Sequence, residues 1–142
     1  MADTPRHSVS VAGVVVNDAR QVLVVRRRDN GHWEPSGGIL ELDETFEEGV
    51  RREVREETGV NIQVERLTGV YKNLRAGVVA LVFRCHPLGA AHASSAEAVA
   101  VRWADPEEIA ALMDPAYAIR VTDAFGGSTV TRAHDGVQLV LQ

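Results

Sequence analysis

The stretch "GGILELDETFEEGVRREVREETGV", Gly37 to Val60, decides how this chain reads. It carries six glutamates from Glu44 to Glu57, and Glu53, Glu56 and Glu57 stand at i, i+3 and i+4. Thr45-Phe46-Glu47-Glu48 has the form of a capping box, which predicts a helix with Thr45 as N-cap. Gly59 supplies the C-terminal stop. Phe46, Val50 and Val54 repeat at i, i+4 and i+8 and form one apolar stripe. The outer face takes Glu47, Glu48, Arg51, Arg52 and Arg55, with Glu47→Arg51 and Glu48→Arg52 as i,i+4 pairs.

The glutamates fall into two kinds. Glu47 and Glu48 suit a solvated face at the positive end of the helix dipole. Glu53, Glu56 and Glu57 do not. They repel one another at i,i+4 spacing, lie at the negative end of the dipole and border the apolar stripe, where desolvation penalises charge. A divalent cation reverses all three penalties. Crowded carboxylate oxygens are the donors that Mg²⁺ or Mn²⁺ prefers.

The rest of the chain sets limits around this helix. Its 142 residues and 45% hydrophobic content suit one domain with one core, spanning 1–142. No 20-residue apolar run is present, so no membrane contact through a spanning helix is expected. The start "MADTPRHSVSV" lacks the pattern of a signal peptide, and a lone Cys85 permits no internal disulfide; both point to the cytoplasm. The net charge of −5 argues against a nucleic-acid polymer as partner. It leaves room for one small phosphorylated substrate whose charge a metal offsets.

His7–Asn17 and Gln21–Arg28 read as two β-branched strands joined by a turn at Asn17–Asp18, which suggests a hairpin. "DNGHWEPSGG" has the chemistry of a loop. "NIQVERLTGVYKN", "AGVVALVFRCHPL" and "AVAVRWA" read as three more strands. Asp105-Pro106-Glu107-Glu108 opens a helix, Pro115–Gly127 reads as another closed by glycine, and "GVQLVLQ" as a last strand or terminal segment. Such a mixture gives an α/β or α+β domain.

At this point the residues resemble a known pattern. The Nudix hydrolase signature is G-x5-E-x7-R-E-U-x-E-E-x-G-U, with U aliphatic. From Gly38, five residues reach Glu44, seven more reach Arg52-Glu53-Val54, and Glu56-Glu57 and Gly59-Val60 complete it. All nine specified positions are filled across Gly38 to Val60, a far more specific match than a lone glycine motif. "WEPSGG" before it and "E…RWADPEEI" after it extend the similarity. Two departures are visible: Ile39 replaces a usual glycine, and Gly49 stands where alanine is common. Gly49 is expected to cost about 1 kcal/mol of helix propensity while allowing close packing on a sheet.

The resemblance to MutT-like members of the Nudix family implies an α/β/α sandwich around a mixed β-sheet. It also implies hydrolysis of a diphosphate linkage in a nucleoside diphosphate derivative, with Mg²⁺ or Mn²⁺ as cofactor. Carried over residue by residue, Glu53, Glu56, Glu57 and the Gly38 carbonyl become metal ligands. Glu44 and Arg52 pair to hold the helix geometry. The base that takes the proton from water is either a helix carboxylate, Glu53 or Glu56, or a loop glutamate, for which Glu97 is the candidate. Read without the resemblance, Glu97 is an exposed loop residue.

Outside the signature, Arg26 and Arg28 share a face of the second strand and Arg27 takes the other, so Arg26 and Arg28 become candidate phosphate contacts. Lys72 and Arg75, with Tyr71, become candidates for substrate contact. Trp33 reads as core-adjacent; Tyr117, Arg120 and Phe125 read as packing. Cys85 reads as a buried thiol, and the histidines show no metal-ligand spacing. The partner expected is a small nucleotide-type substrate, with a homodimer left open. The favoured reaction converts a nucleoside triphosphate to monophosphate plus pyrophosphate. The alternatives are an ADP-ribose, nucleotide-sugar or dinucleotide pyrophosphatase, and a Nudix module that senses a nucleotide without cleaving it.

Overall fold

The computed structural model describes residues 3–89 and 98–141. Its strands are β1 (Ser8–Val15), β2 (Val22–Arg27), β3 (Trp33–Ile39), β4 (Ile62–Asn73), β5 (Val78–Pro87), β6 (Ala98–Ala104), β7 (Val130–His134) and β8 (Leu139–Val140). The helices are α1 (Phe46–Thr58), the short α2 (Ile109–Leu112) and α3 (Pro115–Ala124). Among the described residues the strands form one sheet in the order β6-β2-β3-β1-β5-β4-β7-β8. It is mixed: β1 runs parallel to β5 and β4 parallel to β7, while the other pairs are antiparallel.

The run "VAGVVV" explains the sandwich. From Val11 onward both faces of β1 are covered, so this part of the strand is apolar throughout instead of alternating. Val11 and Val15 pack with Val50 and Val54 of α1, whereas Ala12 and Val14 pack with Ile109, Met113, Val121 and Ala124 on the other side. Helix α1 therefore covers one face, and α2 with α3 cover the opposite one.

Two expectations are corrected here. "WEPSGG", read as a loop, lies in strand β3. Its first half pairs with β2, ending at Val24↔Pro35, and its second half pairs with β1, beginning at Gly13↔Ser36. Pro35 stands at that change of partner, so its missing N–H interrupts no continuous ladder. The hairpin of β1 and β2 reduces to one bridge, Val16↔Val22, because β3 comes to lie between the two strands.

Helix α1 follows its sequence signals at both ends. Glu48 N–H donates to Thr45 Oγ1 at 3.2 Å and Thr45 N–H donates to Glu48 Oε1 at 2.8 Å, closing the capping box. Gly59 takes the left-handed conformation with φ 75°. The apolar stripe is shorter than expected, since Val50 and Val54 are fully buried but Phe46 is 43% exposed. Gly49 does lie close to its neighbours: a Cβ there would come within 2.5 Å of Leu40 Cδ1. Among the described residues no helix is long and apolar enough to cross a membrane.

Candidate active site

Strand β3 and helix α1 meet along one seam. Gly37, Gly38 and Ile39 from β3 line an open cavity of about 930 Å³ together with Arg52, Glu53, Glu56 and Glu57 from α1. Glu53 and Glu57 are buried, while Glu56 reaches solvent. A Cβ on Gly38 would lie 2.6 Å from Glu53 Oε2, so the glycine makes the room that this carboxylate fills. A Cβ on Gly37 would lie 2.4 Å from the Val11 carbonyl oxygen, so that glycine lets β3 approach β1.

Glu57 is the most buried of the three glutamates. Ser36 Oγ and Gly37 N–H both donate to its Oε1 at 2.8 Å. Burial pushes its pKa up to about 7; those two hydrogen bonds oppose the shift, and the charges of Glu53 and Glu34 add to it. The second oxygen, Oε2, stays outside those bonds.

Arg52 ties the loop before α1 to the carboxylates. Its Nε and Nη2 donate to Glu44 at 2.6 and 2.7 Å, a two-point fork. Nη1 reaches Glu53 Oε1 at 2.8 Å and Glu56 Oε2 at 3.3 Å, and Nη2 also reaches the Ile39 carbonyl at 3.2 Å. Glu44 in turn accepts from Glu41 N–H at 2.9 Å. Arg52 and then Glu41 N–H hold the Glu44 pKa down at about 2. The expected placement of Arg52 on the outer face is thus corrected. The residue turns toward the β3 seam, and Glu48 is used as the cap instead of as its i,i+4 partner.

Among the described residues no three His, Cys, Asp or Glu side chains close on one point tightly enough to chelate an ion unaided. The donor set on the cavity wall still suits a hard cation. It combines the carboxylates of Glu53, Glu56 and Glu57 with the backbone of Gly38, and it includes the buried carboxylate of Glu57, which forms no ion pair among the described residues.

The remaining candidates separate. Arg28 lines the carboxylate cavity, as does Arg27. Arg26 does not: its guanidinium lies over the Trp33 ring, 5.9 Å from the centroid. The expected sharing of a face by Arg26 and Arg28 fails because the ladder shifts register between Arg26 and Arg27 and the strand ends there. Lys72 and Arg75 are exposed and line neither this cavity nor the one beside it. Tyr71 is fully buried and donates to Asp123 Oδ2 at 2.7 Å, which makes it part of the α3 packing. Glu97 lies outside the described residues.

A second cavity, of about 300 Å³, adjoins the first and shares Ser10, Arg27, Asp29, Gly37 and Gly38 with it. Glu34, Tyr117, Arg120 and His134 are among its other walls. Arg27 Nη1 donates to Glu34 at 3.1 Å, yet burial still raises the Glu34 pKa. The sequence pattern reads Arg120 as packing and gives no mark to Glu34 or His134. A signal was present for Arg120. It falls on the stripe of Ala116, Val121 and Ala124 in α3, and a charge on a buried stripe is the same anomaly that exposes Glu53 and Glu57 in α1.

A family profile described as "NUDIX domain" matches residues 6–125. The chain belongs to that family and is an enzyme, a Nudix hydrolase. A "MutT-like protein" of Streptomyces ambofaciens is 55% identical to it over 137 residues, which is 96% of this chain and 89% of that protein. A Bacillus subtilis (strain 168) protein provisionally named an 8-oxo-dGTP diphosphatase is 30% identical over 116 residues, 81% of this chain and 78% of that protein. The crystal structure of a NUDIX hydrolase from Nitrosomonas europaea superposes with a TM-score of 0.78 over 93% of this chain and 82% of that one. At 20% identity this is a likeness of fold.

Proposed function

We propose that the chain hydrolyses a nucleoside triphosphate between its α and β phosphorus atoms, releasing a nucleoside monophosphate and pyrophosphate. One observation carries the reading: Glu53, Glu56 and Glu57 line a single cavity with Gly38, and Arg52 joins two of them to Glu44. The similarity to a protein named for a diphosphatase activity on a nucleoside triphosphate supports the substrate class.

Glu53, Glu56, Glu57 and the Gly38 carbonyl would hold Mg²⁺ or Mn²⁺. When bound, the metal screens the phosphate charge and acidifies a coordinated water. The chain's own residues do the rest. Gly38 leaves space for the Glu53 carboxylate, and Ser36 and Gly37 fix the Glu57 carboxylate. Arg52 holds the loop and helix in register. Arg28, on the cavity wall, faces the anionic substrate. The proton of the attacking water goes to Glu97 or to a helix carboxylate, Glu53 or Glu56.

Hydrolysis in ¹⁸O-water, run over nucleoside triphosphates and ADP-ribose with Mg²⁺ and Mn²⁺, tests this. Label in the monophosphate or pyrophosphate of a triphosphate reaction is expected. Release of labelled orthophosphate, or turnover of ADP-ribose alone, overturns the reading.

A further inference from the structure

Among the described residues, Arg120 is a buried cation with no carboxylate bonded to it. It is 8% exposed, and its guanidinium lies 5.0 Å from the Tyr71 ring centroid and 4.7 Å from that of Tyr117. Its Nε has no hydrogen-bond partner among the described residues. Among the described residues its polar contact is Nη2 to His134 Nε2, at 3.3 Å.

That contact satisfies neither group. Gly136 N–H donates to His134 Nδ1 at 2.9 Å, so Nδ1 carries a lone pair and the hydrogen of the neutral ring sits on Nε2. Nε2–H and the Arg120 N–H groups then face each other as donors. The ring is kept neutral, since burial and the Arg120 charge both push its pKa down. Converging buried donors without an acceptor are costly, and an acceptor atom brought between them removes the cost. Both residues line the 300 Å³ cavity that adjoins the carboxylates. Its walls include apolar Ala12, Val78 and Ala80, which suit a flat ring.

We propose that this cavity takes the base of the substrate, and that Arg120 and His134 select a base with a ring carbonyl, the 6-oxopurine class over the 6-aminopurine class. This rests on the reading of the chain as a nucleotide hydrolase. A carbonyl oxygen has two lone pairs, one for each donor. An exocyclic amino group in the same place brings a third donor to a site that already has an excess. Glu34, on the same wall, accepts the N–H that a lactam carries beside its carbonyl.

Calorimetric titration with inosine and adenosine monophosphates, which differ only at the C6 and N1 edge, tests the assignment. The titrations are run in EDTA, so they read binding and not cleavage. The inosine nucleotide is expected to bind at least tenfold more tightly. Arg120→Met, checked by melting, is expected to cut the ratio below twofold. His134→Phe, which keeps a ring but removes the donor, is expected to do the same. Equal binding, tighter binding of the adenine nucleotide, binding of neither, or a preference that survives in a folded variant overturns the proposal. A chain that prefers inosine yet releases no pyrophosphate from inosine triphosphate sinks the proposed reaction instead.

Discussion

Gly38 and Glu53 share a space that admits only one of their side chains: a Cβ on the glycine would stand 2.6 Å from one carboxylate oxygen and 2.7 Å from the other. The strand is bare so that the helix can place a charge against it.

Gly38→Ala and Gly37→Ala should therefore fail in different ways. The obstacle at Gly38 is the end of a flexible side chain, so the alanine is expected to displace the Glu53 carboxylate at small cost in stability. Mn²⁺ affinity by calorimetry should drop at least tenfold. The obstacle at Gly37 is the Val11 carbonyl and the Ala12 Cβ, which cannot swing away. Its alanine should lower the melting temperature. Equal melting of both variants contradicts the distinction.

Arg52 gives the second prediction. Its fork to Glu44 and its reach to Glu53 and Glu56 use the planar guanidinium. Arg52→Lys is expected to recover little of what Arg52→Ala loses. Both should lower kcat/KM by about tenfold or more, which is about 1.4 kcal/mol of barrier. Activity within about twofold of wild type in Arg52→Ala makes Arg52 an ordinary charge, and the same in Arg52→Lys alone shows that a positive charge suffices without the fork.

The third prediction follows from Glu57. Its folded pKa of about 7 lies above its ordinary 4.5 because burial disfavours the charge. Between these values the folded protein binds more protons than the unfolded chain. Stability in EDTA is therefore expected to fall as pH rises from about 4.5 to 7, by at most about 3 kcal/mol, and then to level off. Glu57→Gln should remove this slope, so its melting advantage over wild type must be larger at pH 8 than at pH 5. An advantage independent of pH contradicts the assignment.

Glu97 supplies the fourth. If it takes the proton of the attacking water, Glu97→Gln is expected to lower kcat by about 10² while Mn²⁺ affinity stays unchanged. The deficit should shrink as pH rises and hydroxide replaces the assisted water. A wild-type kcat assigns the proton to Glu53 or Glu56, and lost metal binding makes Glu97 a ligand.

Helix α1 was legible because its signals are local. The capping box, the αL glycine and the misplaced glutamates all lie within a few turns, and each appears where the spacing puts it. Strand β3 was not legible, since Gly and Pro mark a loop unless the neighbours are known. Its pairing with β1 joins Ser36 to Gly13 and Ile39 to Ser10, information absent from any short window. Register also misled: alternation put Arg26 and Arg28 together, but the shift after Arg26 undid it. The Arg120–His134 contact joins α3 to β7, and the hydrogen on that imidazole is fixed by Gly136, two residues beyond it.

The exchange of partners along β3 also has a consequence for divergence. One short strand borders both cavities, yet α1 furnishes the acidic wall of one and α3 the basic depth of the other. Substitutions in α3 do not touch the acidic wall, and the reverse holds for α1. A lineage built on this scaffold can change its diet without relearning its chemistry.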